Sequence, residues 1–149
     1  MRVQAWSTNL TPEHCAESGV VYTSREELFS TSDIITVHLV LSDRTRGLVG
    51  QPEFQMMKPT AYFVNTSRGP IVQESALVSA LQGGSIAGAG LDVFDIEPLP
   101  QNHPLRGLEN AVLTGHTGYG MRENYVTGYR GAVENVTAWL NGESLRLLN

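Results

Sequence analysis

The chain has 149 residues, enough for one core-forming domain, with 41% hydrophobic against 17% charged residues. A formal net charge of −5 with no basic run excludes a nucleic-acid surface, which needs clustered Lys and Arg to neutralise phosphates. The lone cysteine, Cys15, excludes a disulfide framework and a multi-cysteine zinc site, and no stretch is long and apolar enough to span a bilayer.

The N-terminus lacks the charged-then-apolar pattern of a signal peptide, so a cytoplasmic location is expected. Strand and helix signals then alternate, the pattern of a parallel sheet covered by helices, an α/β class. Residues 2–6 predict a first strand. Thr11, Pro12 and Glu13 open a helix with a cap, a first-turn proline and an acid. Residues 20–22 predict a short strand, and Ser24 caps a helix over residues 25–29 with Glu27 at the capping-box position. Residues 34–41 form a strongly apolar third strand, followed by a short helix over 52–57 that Pro59 ends. Residues 61–64 make a buried strand, 74–81 a helix, 86–93 a strand and 111–114 a last short strand. The longest helix runs over 122–140. Its Tyr125, Tyr129, Ala132, Val133, Val136 and Trp139 recur at three- and four-residue spacing, predicting a face that packs on the sheet. Asn141 and Gly142 end it.

No G-x-G-x-x-G loop is present. The nearest string, residues 83–90, leads into and lies within a strand and lacks the third glycine. Gly83 and Gly84 are expected to end a helix, and Gly88 and Gly90 to admit close backbone packing. The expected architecture is therefore a Rossmann-type parallel sheet with flanking helices that lacks the first strand and the glycine-rich loop. The first strand of such a sheet is central. Its slot would be left open, and a second copy could fill it, so a homodimer is expected.

Three groups stand at strand ends, where open α/β sheets gather their ligands. Arg68 follows the strand at 61–64 and precedes Gly69-Pro70, placed to hold a small anion. Asp92, Asp95 and Glu97 fall within six residues at the next strand end, among prolines that fix the loop. His116 lies just past the last short strand, flanked by Gly115 and Gly118. Singly, each has an ordinary structural explanation; an arginine, an acid and a histidine on three strands of one sheet could converge. Cys15 is expected to be packing, and His14 and His103 to be solvated. No spacing of His, Asp and Glu suggests a metal site.

Five stretches in order resemble the D-isomer-specific 2-hydroxyacid dehydrogenases: V-H-L-V-L-S-D-R-T-R-G-L-V-G at 37–50, N-T-S-R-G-P-I-V at 65–72, A-G-L-D-V-F-x-x-E-P-L-P at 89–100, L-T-G-H-T-G-Y at 113–119 and E-N-V-T-A-W-L-N-G at 134–142. The resemblance covers essentially the whole chain. It implies that residues 1–149 are an incomplete NAD(P)-binding domain plus a C-terminal helix, with the substrate-binding domain absent. It further implies hydride transfer between NAD or NADP and a small 2-oxo or 2-hydroxy acid. Arg68 would hold the substrate carboxylate and polarise the keto group, His116 would be the general acid/base, and Glu97 its partner. Asp92 would receive the nicotinamide carboxamide, with backbone around His38, Thr66 and Gly118 lining the cofactor. Ser7 stands where many NAD-dependent members carry an acid for the ribose hydroxyls, which leaves NAD and NADP both open. Gly115 replaces the family's usual proline before the histidine. Some relatives, the C-terminal-binding-protein corepressors, use the same fold as a dinucleotide-sensing interaction module. The resemblance leaves that alternative standing.

Overall fold

Helices between consecutive strands return the chain to the same end of a sheet, which forces parallel pairing. The protein is described by a computed structural model over residues 1–147. Its elements run β1 (Gln4–Ala5), α1 (Pro12–Glu17), β2 (Val21–Tyr22), α2 (Arg25–Thr31), β3 (Ile34–Val37), α3 (Gln51–Met56), β4 (Tyr62–Asn65), α4 (Glu74–Gln82), β5 (Gly88–Leu91), β6 (Ala111–Leu113) and α5 (Arg122–Leu140). Two compact units result, Met1–Gly115 and the segment from His116 onward.

In the first unit every ladder is parallel. One sheet holds β1 and β2, and the other has the order β3-β4-β5-β6. No ladder joins β1 to β3 among the described residues, so the sheet divides where the sequence leads one to expect an open slot. The expected strands are all found; β4 keeps its expected length, shifted by one residue, and the others are shorter. The third ends at Val37 rather than Leu41, because Val37 pairs with Asn65, the last residue of β4. Beyond it, Leu39 O accepts from Ser67 Oγ at 2.7 Å and Val40 O from Thr45 Oγ1 at 2.7 Å, so loop side chains satisfy its carbonyls.

Period-two burial decides the core. Ile35, Phe63, Ala89 and Leu91 point to the buried face, where α3 contributes Phe54 and α4 contributes Leu77 and Leu81. The Phe54 and Phe63 rings meet edge to face, centroids 5.3 Å apart. On the opposite face Ile34, Tyr62 and Val112 are exposed. Ser24 caps α2 through a 3.1 Å bond from Glu27 N, and Thr11 caps α1. Arg25 ties neighbouring elements of this layer together: Nη2 donates to Glu53 Oε1 at 2.7 Å and Leu48 O at 2.9 Å, and the guanidinium lies over the Trp6 ring. Glu53, buried at the start of α3, accepts Gly50 N with its other oxygen at 2.7 Å. Such a partly buried pair adds little net stability but fixes the relative placement of its elements.

Gly88 meets the expectation of close packing, since a Cβ there would lie 2.7 Å from Asn110 O. Gly90 does not, its nearest neighbour being a Val64 methyl at 3.9 Å. Cys15 is buried and free, as expected for packing.

The second unit corrects the sequence reading. α5 has the predicted span, Asn141 caps it, and Gly142 takes a φ of 74°. Yet Tyr125, Tyr129, Ala132, Val133, Val136 and Trp139 are all exposed, and only Ala138 of the helix is buried. Helical spacing fixes which residues share a face; it does not fix what covers that face.

Candidate active-site edge

The register Asn65↔Leu91↔Leu113 brings the carboxyl ends of β4, β5 and β6 side by side. Arg68, Asp92 and Glu97 therefore follow neighbouring strand ends within the first unit. Arg68 is held by a turn that begins in the core. Asn65 is 1% exposed, and its amide is used twice: Nδ2 donates to Arg68 O at 3.0 Å, and Oδ1 accepts from Ser67 N at 3.0 Å. The guanidinium is itself exposed, with Nη1 donating to Ser67 O at 2.6 Å. Gly69 then starts a 3-10 turn, Gly69–Ile71. The reason for glycine is packing: a Cβ there would sit 2.1 Å from the carbonyl carbon of Phe94. The Arg68 turn thus lies directly on the backbone that leads to Glu97.

That backbone is a clipped loop. Glu97 Oε1 accepts Phe94 N at 2.9 Å, and the Glu97–Pro98 peptide is cis. Glu74, at the first turn of α4, accepts Asp95 N with Oε2 at 3.3 Å and faces His103 Nε2 with Oε1 at 2.9 Å. Arg106 holds the far end, donating to Leu99 O at 2.7 Å and Pro100 O at 2.9 Å. His103, expected to be solvated, is instead part of this clip, with Nδ1 accepting Leu105 N at 3.3 Å. An acceptor role at Nδ1 assigns the ring hydrogen to Nε2, which donates to Glu74. A lone histidine in a polar stretch gave no sign of this, because Glu74 lies 29 residues away.

Asp92 is buried, and Thr114 Oγ1 donates to its Oδ1 at 2.5 Å. Thr114 and Asn65 are the two residues the sequence reading missed; a polar residue closing an otherwise apolar strand was the available signal. His38 follows β3, its Nε2 3.0 Å from Thr36 Oγ1. Thr66 is exposed directly after β4, and Ser7, after β1, accepts Leu10 N in a turn at 3.2 Å. His116 and Gly118 belong to the second unit. His116 takes left-handed backbone, φ 57°, a conformation uncommon for a residue with a Cβ and frequent at functional turns. Among the described residues no group of His, Cys, Asp and Glu is arranged to hold a metal ion, and no helix is long and apolar enough to cross a membrane.

The Asp95 carboxyl is pushed above its ordinary value. Burial is the main cause and the neighbouring Glu74 carboxylate the second, opposed by Arg46 and His103. Between the ordinary value and the raised one the folded chain binds more protons than the unfolded chain, so stability falls as pH rises through that window. Asp95→Asn removes the effect. The variant should melt higher than the parent at pH 7 and gain nothing at about pH 3, where both states of Asp95 are protonated. Equal gains at both pH values would contradict this electrostatic account.

A family model described as "D-isomer specific 2-hydroxyacid dehydrogenase, NAD binding domain" matches residues 1–118. The chain belongs to this family. The glyoxylate reductase of Aeropyrum pernix is 45% identical over 143 residues, covering 96% of this chain and 43% of that protein. The crystal structure of the NAD complex of a D-isomer specific 2-hydroxyacid dehydrogenase from Lactobacillus delbrueckii ssp. bulgaricus superposes with a TM-score of 0.82 at 27% identity, over 99% of this chain and 48% of that one. An acyclic imino acid reductase in complex with NADPH and D-Arg gives a TM-score of 0.77 at 28% identity, covering 100% and 46%. The 2-hydroxyacid dehydrogenase member described here thus spans less than half the length of these relatives.

Proposed function

We propose that this chain carries the NAD(P)-binding half of a D-2-hydroxyacid dehydrogenase that interconverts a small 2-oxo acid and its 2-hydroxy acid, the substrate-binding domain lying outside residues 1–149. The reading is carried by one observation: Arg68, Asp92 and Glu97 follow adjacent parallel strand ends and are braced on one another through Gly69 and Phe94. Glyoxylate is the substrate to try first, given the 45% identical reductase.

The donor set fits the nicotinamide end of the cofactor. A buried Asp92 oxygen fixed by Thr114 supports a role as acceptor for a carboxamide N–H. His38, Thr66 and Gly118 offer backbone to line it, and Ser7 stands near the ribose end with no acid to repel a 2′-phosphate, which fits NAD or NADP. When bound, the cofactor supplies or accepts a hydride at the substrate carbon. The chain's own residues do the rest. The Arg68 guanidinium pairs with the substrate carboxylate and draws charge toward the keto oxygen. An imidazolium nitrogen of His116 gives that oxygen its proton, and takes it back in the oxidative direction.

The reading extends to a reducing, cytoplasmic location, supported by the free buried thiol of Cys15. It also extends to a homodimer, supported by the unjoined edges of β1 and β3. To test the activity, the chain is joined to all of the part of the Aeropyrum pernix relative that it does not match, so that the first strand and glycine-rich loop are supplied along with the substrate-binding domain. Glyoxylate-dependent oxidation of NADH or NADPH is expected, with the preferred cofactor read from the ratio of kcat/KM values. A folded fusion that binds cofactor yet reduces no small 2-oxo acid would overturn the proposal.

A further inference from the structure

Glu74 stands in the first turn of α4, where an acid ordinarily serves its own helix by facing the unpaired N–H groups. Here both of its oxygens are committed elsewhere. Oε2 accepts Asp95 N at 3.3 Å, 21 residues away, and Oε1 meets His103 Nε2 at 2.9 Å, 29 residues away. One carboxylate therefore spans the entry and the exit of residues 95–103, the loop that carries Glu97. The pair is largely covered, with the His103 and Glu74 side chains 17% and 21% exposed.

The composition of that loop explains why it needs such a clip. Pro98, Pro100 and Pro104 have no N–H to give. Among the described residues, the backbone bond within 95–103 is His103 N on Pro100 O, at 3.1 Å. Side chains supply the rest. The Arg106 guanidinium takes the carbonyls of Leu99 and Pro100, and Glu74 ties both ends to α4, whose Leu77 and Leu81 are anchored in the core. Glu74 also reaches the place where the two sides of the edge meet. It lines one small cavity with Asn65 and Gly69 of the Arg68 turn, Phe94 of the Glu97 loop, and Leu105.

We propose that Glu74 and His103 are positioning residues for the reaction, acting through Glu97: the carboxylate–imidazole pair holds both ends of the Glu97 loop on α4 and so sets where the Glu97 carboxylate stands. This rests on the reading of Glu97 as a residue of the dehydrogenase site. Asp92 is fixed separately by Thr114, and the Arg68 backbone by Asn65, so the pair acts on turnover and leaves cofactor binding alone.

Glu74→Asp separates positioning from service to the helix. It keeps a negative charge in the first turn of α4 but shortens the side chain by one carbon, so it cannot reach Asp95 N and His103 together. The Phe94 amide, which donates to Glu97 Oε1 at 2.9 Å, reports on the loop in the 149-residue chain. Its hydrogen exchange should quicken by about tenfold or more, while the amides of β4 exchange as before. In the completed enzyme, kcat for 2-oxo acid reduction should fall about tenfold with the KM for cofactor unchanged, the scale of a misplaced group. His103→Leu should do the same. His103→Gln, whose amide N–H can still donate to Glu74, should keep most of the rate. In a Glu97→Gln background neither Glu74→Asp nor His103→Leu should lower kcat further, since both act through the carboxylate already removed. A Glu74→Asp enzyme with parental kcat, or a loss that adds in full to that of Glu97→Gln, would overturn the proposal and leave the dehydrogenase reading intact. If Glu97→Gln itself kept parental kcat, the role of Glu97 would fall, and this proposal with it.

Discussion

Alanine at position 116 is expected to lower 2-oxo acid reduction by about 10²–10⁴-fold in the completed enzyme, the usual worth of a positioned general acid. Hydride arriving at a keto carbon leaves negative charge on its oxygen, and a proton must be delivered as that charge grows. His116 is the histidine set in the L-T-G-H-T-G-Y stretch, and its left-handed backbone, φ 57°, is held at a turn between β6 and α5. The loss should fall on kcat, with cofactor affinity nearly unchanged, because the imidazole acts mainly in the transition state. His116→Asn, which keeps the approximate size and a hydrogen bond, should not restore the rate. A variant retaining near-normal kcat would remove His116 from the chemistry. If NADH binding were lost as well, the effect would belong to folding of the loop rather than to proton transfer.

Gly69→Ala carries the second large effect, and it acts through structure. The added methyl would lie 2.1 Å from the Phe94 carbonyl carbon and 2.6 Å from Asp95 N, backbone atoms that no rotamer change can clear. Overpacking of this kind costs about 3 kcal/mol, or roughly 10 °C in Tm for a chain of this size. The damage should spread to both sides of the contact, since one side carries Arg68 and the other Glu97. Urea melts of the isolated chain give the stability loss. In the completed enzyme, the KM for the 2-oxo acid should rise as Arg68 shifts. A variant as stable as the parent would show that the Arg68 turn and the Glu97 loop are not pressed together as described.

Residues 1–149 by themselves determined a good deal. Alternating strand and helix signals give parallel ladders because a helix between two strands leaves no other short connection, and every expected element of the first unit is present. Arg68 and Asp92 were legible as candidates because each lies just past the end of an apolar strand, where the sheet can no longer bury a polar group, and Glu97 because it lies in the loop that follows Asp92. The family match over residues 1–118 covers the same motifs.

Tertiary structure alone decided the rest, for reasons that concern partners distant in sequence. His103 reads as a surface histidine until Glu74, 29 residues earlier, is brought 2.9 Å from its ring. Gly69 reads as a turn residue until the Phe94 backbone closes on it. The third strand reads as eight residues long, but it pairs only as far as β4 reaches. For α5, periodicity fixed the stripe and its face, whereas its cover depends on which surfaces remain free after the first unit has packed. A helical pattern records that burial is favourable; only the assembled fold determines against what.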